Sequence, residues 1–249
     1  MKVLTDERLQ VTELDDWFAV GGGTGLRRAL AQPTTILEEL KAAELRGMGG
    51  AGFATHQKWA AVARAPAGRK WVLCNGNEDE PGTFKDRYLL ARTPHQVIEG
   101  ALIAAVATGS CQVVLYVNPR IPDALEILER AALQWAHGPL LRQVCDAVGR
   151  EVTLSVRASS GQYVGGEETG AIASVAGGFP FPRLKPPWPA ETGMCGEPTL
   201  VNNVETLALA CHVLWRGAAW FRGLGRTAPG TKLYSLSGDV VRPGLHELP

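Results

Sequence analysis

Apolar positions along the chain follow two periods. Ile36, Leu37 and Leu40 within Thr34–Leu45, then Leu125, Leu128, Ala132 and Trp135 within Pro122–His137, then Val204, Leu207, Cys211 and Leu214 recur at helical spacing. They predict amphipathic helices. Pro94–Thr108 is predicted as a further helix, because Thr93-Pro94-His95-Gln96 reads as a capping box with proline at the first helical position. Asn202-Asn203-Val204-Glu205 reads as a second capping box, Gly109, Gly138 and Gly217 as stops, and Leu26–Leu30 as a short helical stretch. Trp71–Cys74, Gln112–Val117, Glu151–Val156 and Thr231–Ser237 are short apolar or β-branched runs bounded by turn residues, and they predict strands. A helical piece reaching about Val175 and a proline-rich surface stretch, Phe179–Pro189, follow the third strand. Strands alternating with helices of this length imply an α/β fold with a largely parallel sheet, whose ligand sites gather in loops at strand ends.

Composition narrows the partner rather than the fold. The 249 residues are 45% hydrophobic, enough for the core of one large domain or two small ones, and 25 basic side chains balance 25 acidic ones. A balanced charge gives no support to nucleic acid or an anionic membrane as partner, leaving a small molecule or another protein. No run of about 18 apolar residues occurs, and Met1–Glu7 carries no signal-peptide core, so a cytoplasmic chain is expected, without direct membrane insertion. The five cysteines, Cys74, Cys111, Cys145, Cys195 and Cys211, lie far apart with no CxxC spacing; no metal site is read, and most are expected to be reduced, buried fillers.

The densest candidate for chemistry is Arg46-Gly47-Met48-Gly49-Gly50-Ala51-Gly52-Phe53-Ala54-Thr55-His56-Gln57-Lys58-Trp59. Glycines let a backbone take positive φ and approach a ligand closely. Thr55 is expected to cap a helix starting near His56 and ending by Pro66, with Lys58 in its first turn, so free N–H groups and a full positive charge converge on an anion. Neither GxxxxGK[ST] nor the dinucleotide fingerprint is present, and a plain turn is the alternative to a phosphate cradle. Gly21–Gly25 is expected to be a flexible turn. Glu78, Asp79, Glu80 and Asp86 crowd one loop and Glu167-Glu168 another; the spacing favours a solvated face over a metal site or a hydroxyl-binding one. The pattern holds no GxSxG elbow or HExxH, and His95 and His212 are expected to be surface or satisfied core groups.

Five loops taken in order resemble one family. RGMGGAGFATHQKW, NGNEDEPGTFKDR, YVGGEETGAI, RLKPPWPAETG and GEPTLVNNVETL are similar in order and spacing to the NADH-binding flavoprotein subunit of respiratory complex I, a module shared with NAD-reducing hydrogenases and NAD-dependent formate dehydrogenases. The resemblance runs from about Ile36 to Pro249. It implies a Rossmann-like FMN-binding domain with helices on both faces of the sheet, and hydride transfer between nicotinamide and flavin, with no side chain acting as nucleophile. It implies further that Gly47, Gly49, Gly50 and Lys58 embrace the flavin phosphate and neighbouring atoms. Asn75, Asn77 and Glu78 would contact the ribityl chain or ring edge, Tyr163, Gly166 and Glu167 would line the cavity, and Val201, Asn202 and Asn203 would close it. NAD(H) would lie on Phe53, Glu80, Glu168, Lys185 and Trp188.

The same resemblance implies an N-terminal extension over 1–33, an FMN/NADH-binding domain over 34–230, and the start of a following domain over 231–249. Relatives continue into a ubiquitin-like domain and a helical domain that ligates a 4Fe-4S cluster; none of those ligands occurs here. The implied partners are a 2Fe-2S thioredoxin-like subunit and an iron–sulfur catalytic subunit. Met48 stands where relatives commonly carry arginine, Asn77 where they carry aspartate, Ala61 and Trp188 where they carry phenylalanine. Met48 and the Asn-Gly-Asn-Glu string lean towards the soluble formate dehydrogenase or hydrogenase branch. A fragment of a complex I subunit and a non-catalytic assembly subunit are the alternatives.

Overall fold

The computed structural model describes residues 2–66 and 68–249. In chain order its helices and strands are α1 (Leu14–Ala19), α2 (Thr24–Ala31), α3 (Ile36–Ala42), α4 (Thr55–Arg64), β1 (Trp71–Gly76), α5 (Lys85–Arg92), α6 (Pro94–Thr108), β2 (Gln112–Val117), α7 (Pro122–His137) and α8 (Pro139–Val148). Then come β3 (Thr153–Ala158), α9 (Glu168–Val175), β4 (Thr199–Asn203), α10 (Val204–Arg216), α11 (Ala218–Leu224), β5 (Lys232–Leu236) and β6 (Gly244–Leu248). The first four strands form one parallel sheet in the order β3-β2-β1-β4, and β5 and β6 form an antiparallel hairpin.

The alternation of side chains along the strands sorts the core into two unequal layers. Val72, Cys74, Val113, Leu115, Val117 and Leu200 face the larger cluster, which takes in α2, α4, α6, α7 and α10. Leu73, Val114, Tyr116 and Val201 face the smaller one, completed by Ala171 and Ile172 of α9 and by Met194. Helical cover therefore lies on both faces. Leu4, Trp17 and Leu26, from the expected N-terminal extension, are buried within the larger cluster. The amides of Val3, Leu4 and Thr5 all donate to the Glu247 carboxylate, which joins the chain's start to β6.

α6 is the hub of the thick layer, buried at nearly every position. Its Gly100 lies so close to α10 that a Cβ there would sit 2.0 Å from the Leu207 carbonyl oxygen. One face of α6 presents Glu99, fully buried, which accepts hydrogen bonds from Trp17 Nε1 and the amides of Gly23 and Leu26. Burial raises its carboxyl pKa, with those donors opposing the shift. The glycine run before α2, expected to be flexible, is thus a packed turn around a buried acid; a Cβ on Gly22 would strike the Trp17 ring at 2.1 Å.

Several local expectations are corrected. Asn75 and Gly76 belong to β1 rather than to the turn, and Asn202 and Asn203 end a strand, β4, whose asparagines have low strand propensity but pair with β1. Thr93 does not cap α6 by its side chain: its hydroxyl donates to the Leu89 carbonyl and accepts from Gln96 Nε2. At α10 the cap is Asn203, accepting from the Glu205 amide, and Glu205 does not reach back. His95 and His212 are both fully buried, and each has one ring nitrogen bonded, to Trp135 Nε1 and Gln96 Oε1, and one without a partner. Burial pulls their pKa down, to about 4 and about 3, so both are neutral at neutral pH. Cys74, Cys111 and Cys211 are buried, Cys145 is half-buried, and Cys195 is exposed.

Candidate functional site

In the sheet order β3-β2-β1-β4, the chain leaves β1 for β2 on one side and returns as β4 on the other. Connections diverge at such a switch point, opening a crevice beyond the carboxyl ends of the two strands. Asn75 and Asn203 lie opposite each other there. Asn75 Nδ2 donates to the Gly166 carbonyl (2.8 Å), and Asn77 Nδ2 to that of Gln162 (3.0 Å), while Asn77 Oδ1 accepts from the Ser159 hydroxyl. These bonds clamp the loop before α9 across the end of β1. A Cβ on Gly165 would lie 2.9 Å from Tyr116 Oη, itself buried without a partner, and one on Gly166 would lie 3.3 Å from the Asn77 carbonyl oxygen.

The glycine loop forms the opposite wall. An isolated bridge between Arg46 and Ala54 and the Gly47 N–H bond to the Phe53 carbonyl (2.9 Å) close it into a ring. The Met48 amide donates to Thr206 Oγ1 of α10 (2.8 Å), and a Cβ on Gly49 would stand 3.3 Å from that of Asn203. The loop is therefore seated on the start of α10. Gly50 (φ 103°) and Gly52 (φ 61°) have left-handed backbone and open space where a side chain would go. Thr55 is the first residue of α4 rather than its cap, which is Ala54. Because Thr55 begins the helix instead of preceding it, its buried hydroxyl has no partner, and nor has Nδ1 of His56. Trp59, one turn on, donates its indole N–H to Asn202 Oδ1 (2.7 Å) and ties α4 to β4.

A four-charge cluster spans the crevice mouth. Lys58 Nζ meets Glu168 Oε2 at 2.8 Å, and Lys185 Nζ meets Glu168 Oε1 at 2.9 Å and Glu167 Oε1 at 3.0 Å. Glu167 also caps α9, accepting from the amides of Thr169 and Gly170. Burial works against ionisation of both carboxyls. Hydrogen bonds from Thr169 and Lys185 outweigh it for Glu167, and Lys58 and Lys185 outweigh it for Glu168, so both titrate below the usual range. The same carboxylates raise Lys185 against its own burial. Groups lowered in this way stabilise the fold fully above their unfolded value of about 4.5, and that stabilisation disappears as pH falls through the lowered values. Urea midpoints are expected to drop below pH 4.5, and Glu168→Gln to flatten that limb; an unchanged acid limb would count against the cluster.

The remaining expected site residues divide. Phe53, Tyr163 and Trp188 are exposed at the rim, Lys185 lies 5.6 Å from the Trp188 ring centre, and Glu80 is exposed with no side-chain hydrogen bond among the described residues. Val201 is buried against the thin layer. Glu78 is buried, not solvated: its carboxylate accepts from the amides of Asp86 and Arg87 and from Arg87 Nε, holding the start of α5. Asp86 is buried as well. Two cavities, of about 470 and 520 Å³, lie elsewhere, beside His212 and Arg216 and beside Arg28 and Arg222. Neither is lined by a crevice residue, and it is the strand topology that locates the site.

The Nuo51 FMN-binding domain family of complex I matches residues 40–212, which contain both walls of the crevice. This chain belongs to that family. The domain is 43% identical over 239 residues to an NADH-quinone oxidoreductase subunit of Rhizobium meliloti, an alignment covering 95% of this chain and 57% of that one. It is 39% identical over 234 residues to the alpha subunit of the NAD-reducing hydrogenase HoxS of Cupriavidus necator, covering 91% and 39%. The fold matches a solved NAD+-reducing NiFe hydrogenase in its H2-reduced state with a TM-score of 0.84 at 37% identity, covering 97% of this chain and 41% of that one. The chain spans about half the length of the curated relatives it matches.

The crevice of this FMN-binding domain fits its cofactor. Open space over Gly50 and Gly52, the orphaned Thr55 hydroxyl and a lysine in the first turn of α4 suit a phosphate. The carboxamides at the ends of β1 and β4 are held by the protein's own groups, Asn75 by the Gly166 carbonyl and Asn77 by that of Gln162, and so give the crevice a fixed wall. Sequence reasoning does not find Trp59, Ser159, Gln162 or Thr206. Trp59 and Thr206 sit inside the five ordered motifs, but only the fold shows that Trp59, a core residue, also ties α4 to β4, and that Thr206 anchors the glycine loop.

Proposed function

We propose that the chain is the NAD(H)-reactive module of a multisubunit oxidoreductase, exchanging hydride between NAD(H) and FMN and electrons with iron–sulfur partner subunits. The observation that carries this reading is the convergence of the glycine loop, the paired asparagines of β1 and β4, and the Lys58–Glu168–Lys185 cluster on one switch-point crevice. Bound FMN supplies the acceptor or donor of the nicotinamide hydride. The chain's own residues bind and orient. Gly47, Gly49, Gly50 and Lys58 hold the phosphate end; Asn75, Asn77, Gly166, Glu167, Val201, Asn202 and Asn203 shape the crevice, and Tyr163 covers its rim. Glu78 acts indirectly, by holding the start of α5.

NAD(H) is proposed to bind at the mouth, with Phe53 and Trp188 offering aromatic faces, Lys185 a cation, and Glu80 and Glu168 hydroxyl acceptors. The exposure of both aromatic rings supports this placement, since planar ligands gain by covering such surface. A cytoplasmic assembly is part of the proposal, and likeness to a hydrogenase subunit and to quinone oxidoreductase subunits supports the hydrogenase and complex I types equally. No helix among the described residues is long and apolar enough to cross a membrane. The test is direct. FMN-loaded protein is expected to be yellow and to bleach on anaerobic addition of NADH; a chain that takes up FMN without bleaching is an assembly subunit, and a chain that takes up no FMN refutes the proposal.

A further inference from the structure

The FKDR segment of the second motif has no part in the binding scheme proposed for the crevice, yet it places a lysine directly under it. Lys85, first residue of α5, has a side chain only 14% exposed. Its ammonium meets Asp86 Oδ1 at 2.8 Å, Glu205 Oε2 at 3.0 Å and Asn203 Oδ1 at 3.2 Å. A lysine has three N–H donors, and here each has an acceptor. The Asn203 carboxamide is committed in turn: Nδ2 donates to Asp86 Oδ2 (2.6 Å), and Oδ1 also accepts from the Glu205 amide (3.0 Å). Both ends of the amide are therefore used below the crevice. What Asn203 presents upward is its Cβ, and Gly49 of the glycine loop packs on that atom.

The network continues away from the crevice. Glu205 Oε1 accepts from the Leu233 amide of β5 (2.9 Å), and the Phe84 amide, one residue before Lys85, donates to Ser235 Oγ (3.0 Å). Asp86 and Glu205 are almost fully buried, two carboxylates around one cation. Removing one member of such a group leaves buried charge without a partner, which forces the neighbours to move.

We propose that Lys85 is a positioning residue for the FMN site: through Asn203 it fixes the floor on which Gly49 sits, and through Glu205 it ties that floor to the β5–β6 hairpin. The inference rests on the crevice being the FMN site. Lys85→Met keeps the stem and removes the donors. It is expected to raise the Kd for FMN at least tenfold in fluorescence titrations of the apoprotein, and to alter the visible circular dichroism of FMN at saturation. It is also expected to speed amide exchange at Met48–Gly52 and at Leu233. Lys85→Arg, which restores charge and donors, is expected to recover most of the affinity. Glu205→Gln is the second variant in case Lys85→Met does not fold, with the same loop and Leu233 exchange expected to quicken.

A folded Lys85→Met protein with FMN affinity within twofold of the parent and an unchanged flavin spectrum overturns the proposal. So does faster exchange spread evenly over α5 and α10 with no excess in the glycine loop. If Lys85→Met does not fold, unchanged loop exchange in Glu205→Gln overturns it too. Failure of the parent chain itself to bind FMN instead overturns the site assignment on which the inference rests.

Discussion

Lys58→Ala is expected to weaken FMN binding by about 10- to 100-fold. A hydrogen bond to a charged group contributes about 1.5–3 kcal/mol, and each 1.4 kcal/mol is about a factor of ten. Lys58 stands in the first turn of α4, where the proposed scheme has its charge and the helix amides act together on a phosphate. Its loss does not strand Glu168, which keeps Lys185 at 2.9 Å, so the fold survives and the deficit is read as affinity. Glu168→Ala is the control. It removes the shared carboxylate, and is expected to leave FMN in place while weakening NADH binding. Flavin fluorescence titration of the apoproteins, followed by anaerobic NADH titration of the loaded ones, separates the two; equal flavin loss in both variants would show that the residue assignments are wrong.

Gly100→Ala is expected to destabilise the domain by about 3 kcal/mol or more, although alanine is the better helix former by about 1 kcal/mol. The added Cβ would lie 2.0 Å from the Leu207 carbonyl oxygen and 2.5 Å from its carbon, both backbone atoms of a buried helix. Neither can swing aside as a side chain does, so α6 and α10 must separate through a close-packed interior. α10 is capped by Asn203 and anchors Met48 through Thr206, so FMN affinity is expected to fall as well. Equilibrium urea unfolding gives the first quantity. A variant as stable as the parent would mean that the two helices are not packed as closely as the structure places them.

Much of the fold is legible in the chain because long, periodic segments carry their own signal. α6 and α7 lie at the boundaries expected, β2 coincides with the apolar run Gln112–Val117, and Gly217 stops α10. α5 escapes the pattern because Lys85–Arg92 is largely polar and has no side-chain cap; it is held from outside, by Glu78 at its amides. β4 escapes it because two asparagines end the strand, and its pairing with β1 is a long-range contact that no local window contains.

The candidate site divides in the same way. Glycine density and Lys58 in a first turn announce an anion site locally, and the five ordered motifs turn that into a flavin crevice. Whether a carboxylate faces water or supports a helix is decided by distant residues. Glu78, Asp86 and Glu205 read as loop and cap acids, yet each is buried against donors that only folding brings near.

The sequence by itself determined the alternation of strands and helices, the glycine loop and the family, because these depend on residue type, spacing and order along the chain. Only the tertiary structure decided that the glycine loop rests on Asn203, that Lys58 and Lys185 share Glu168, and that Lys85 holds the Asn203 carboxamide. Each joins segments that lie far apart in the chain, as the parallel pairing of β1 with β4 does. A charge or a glycine acquires its partner only when such pairing sets the distance.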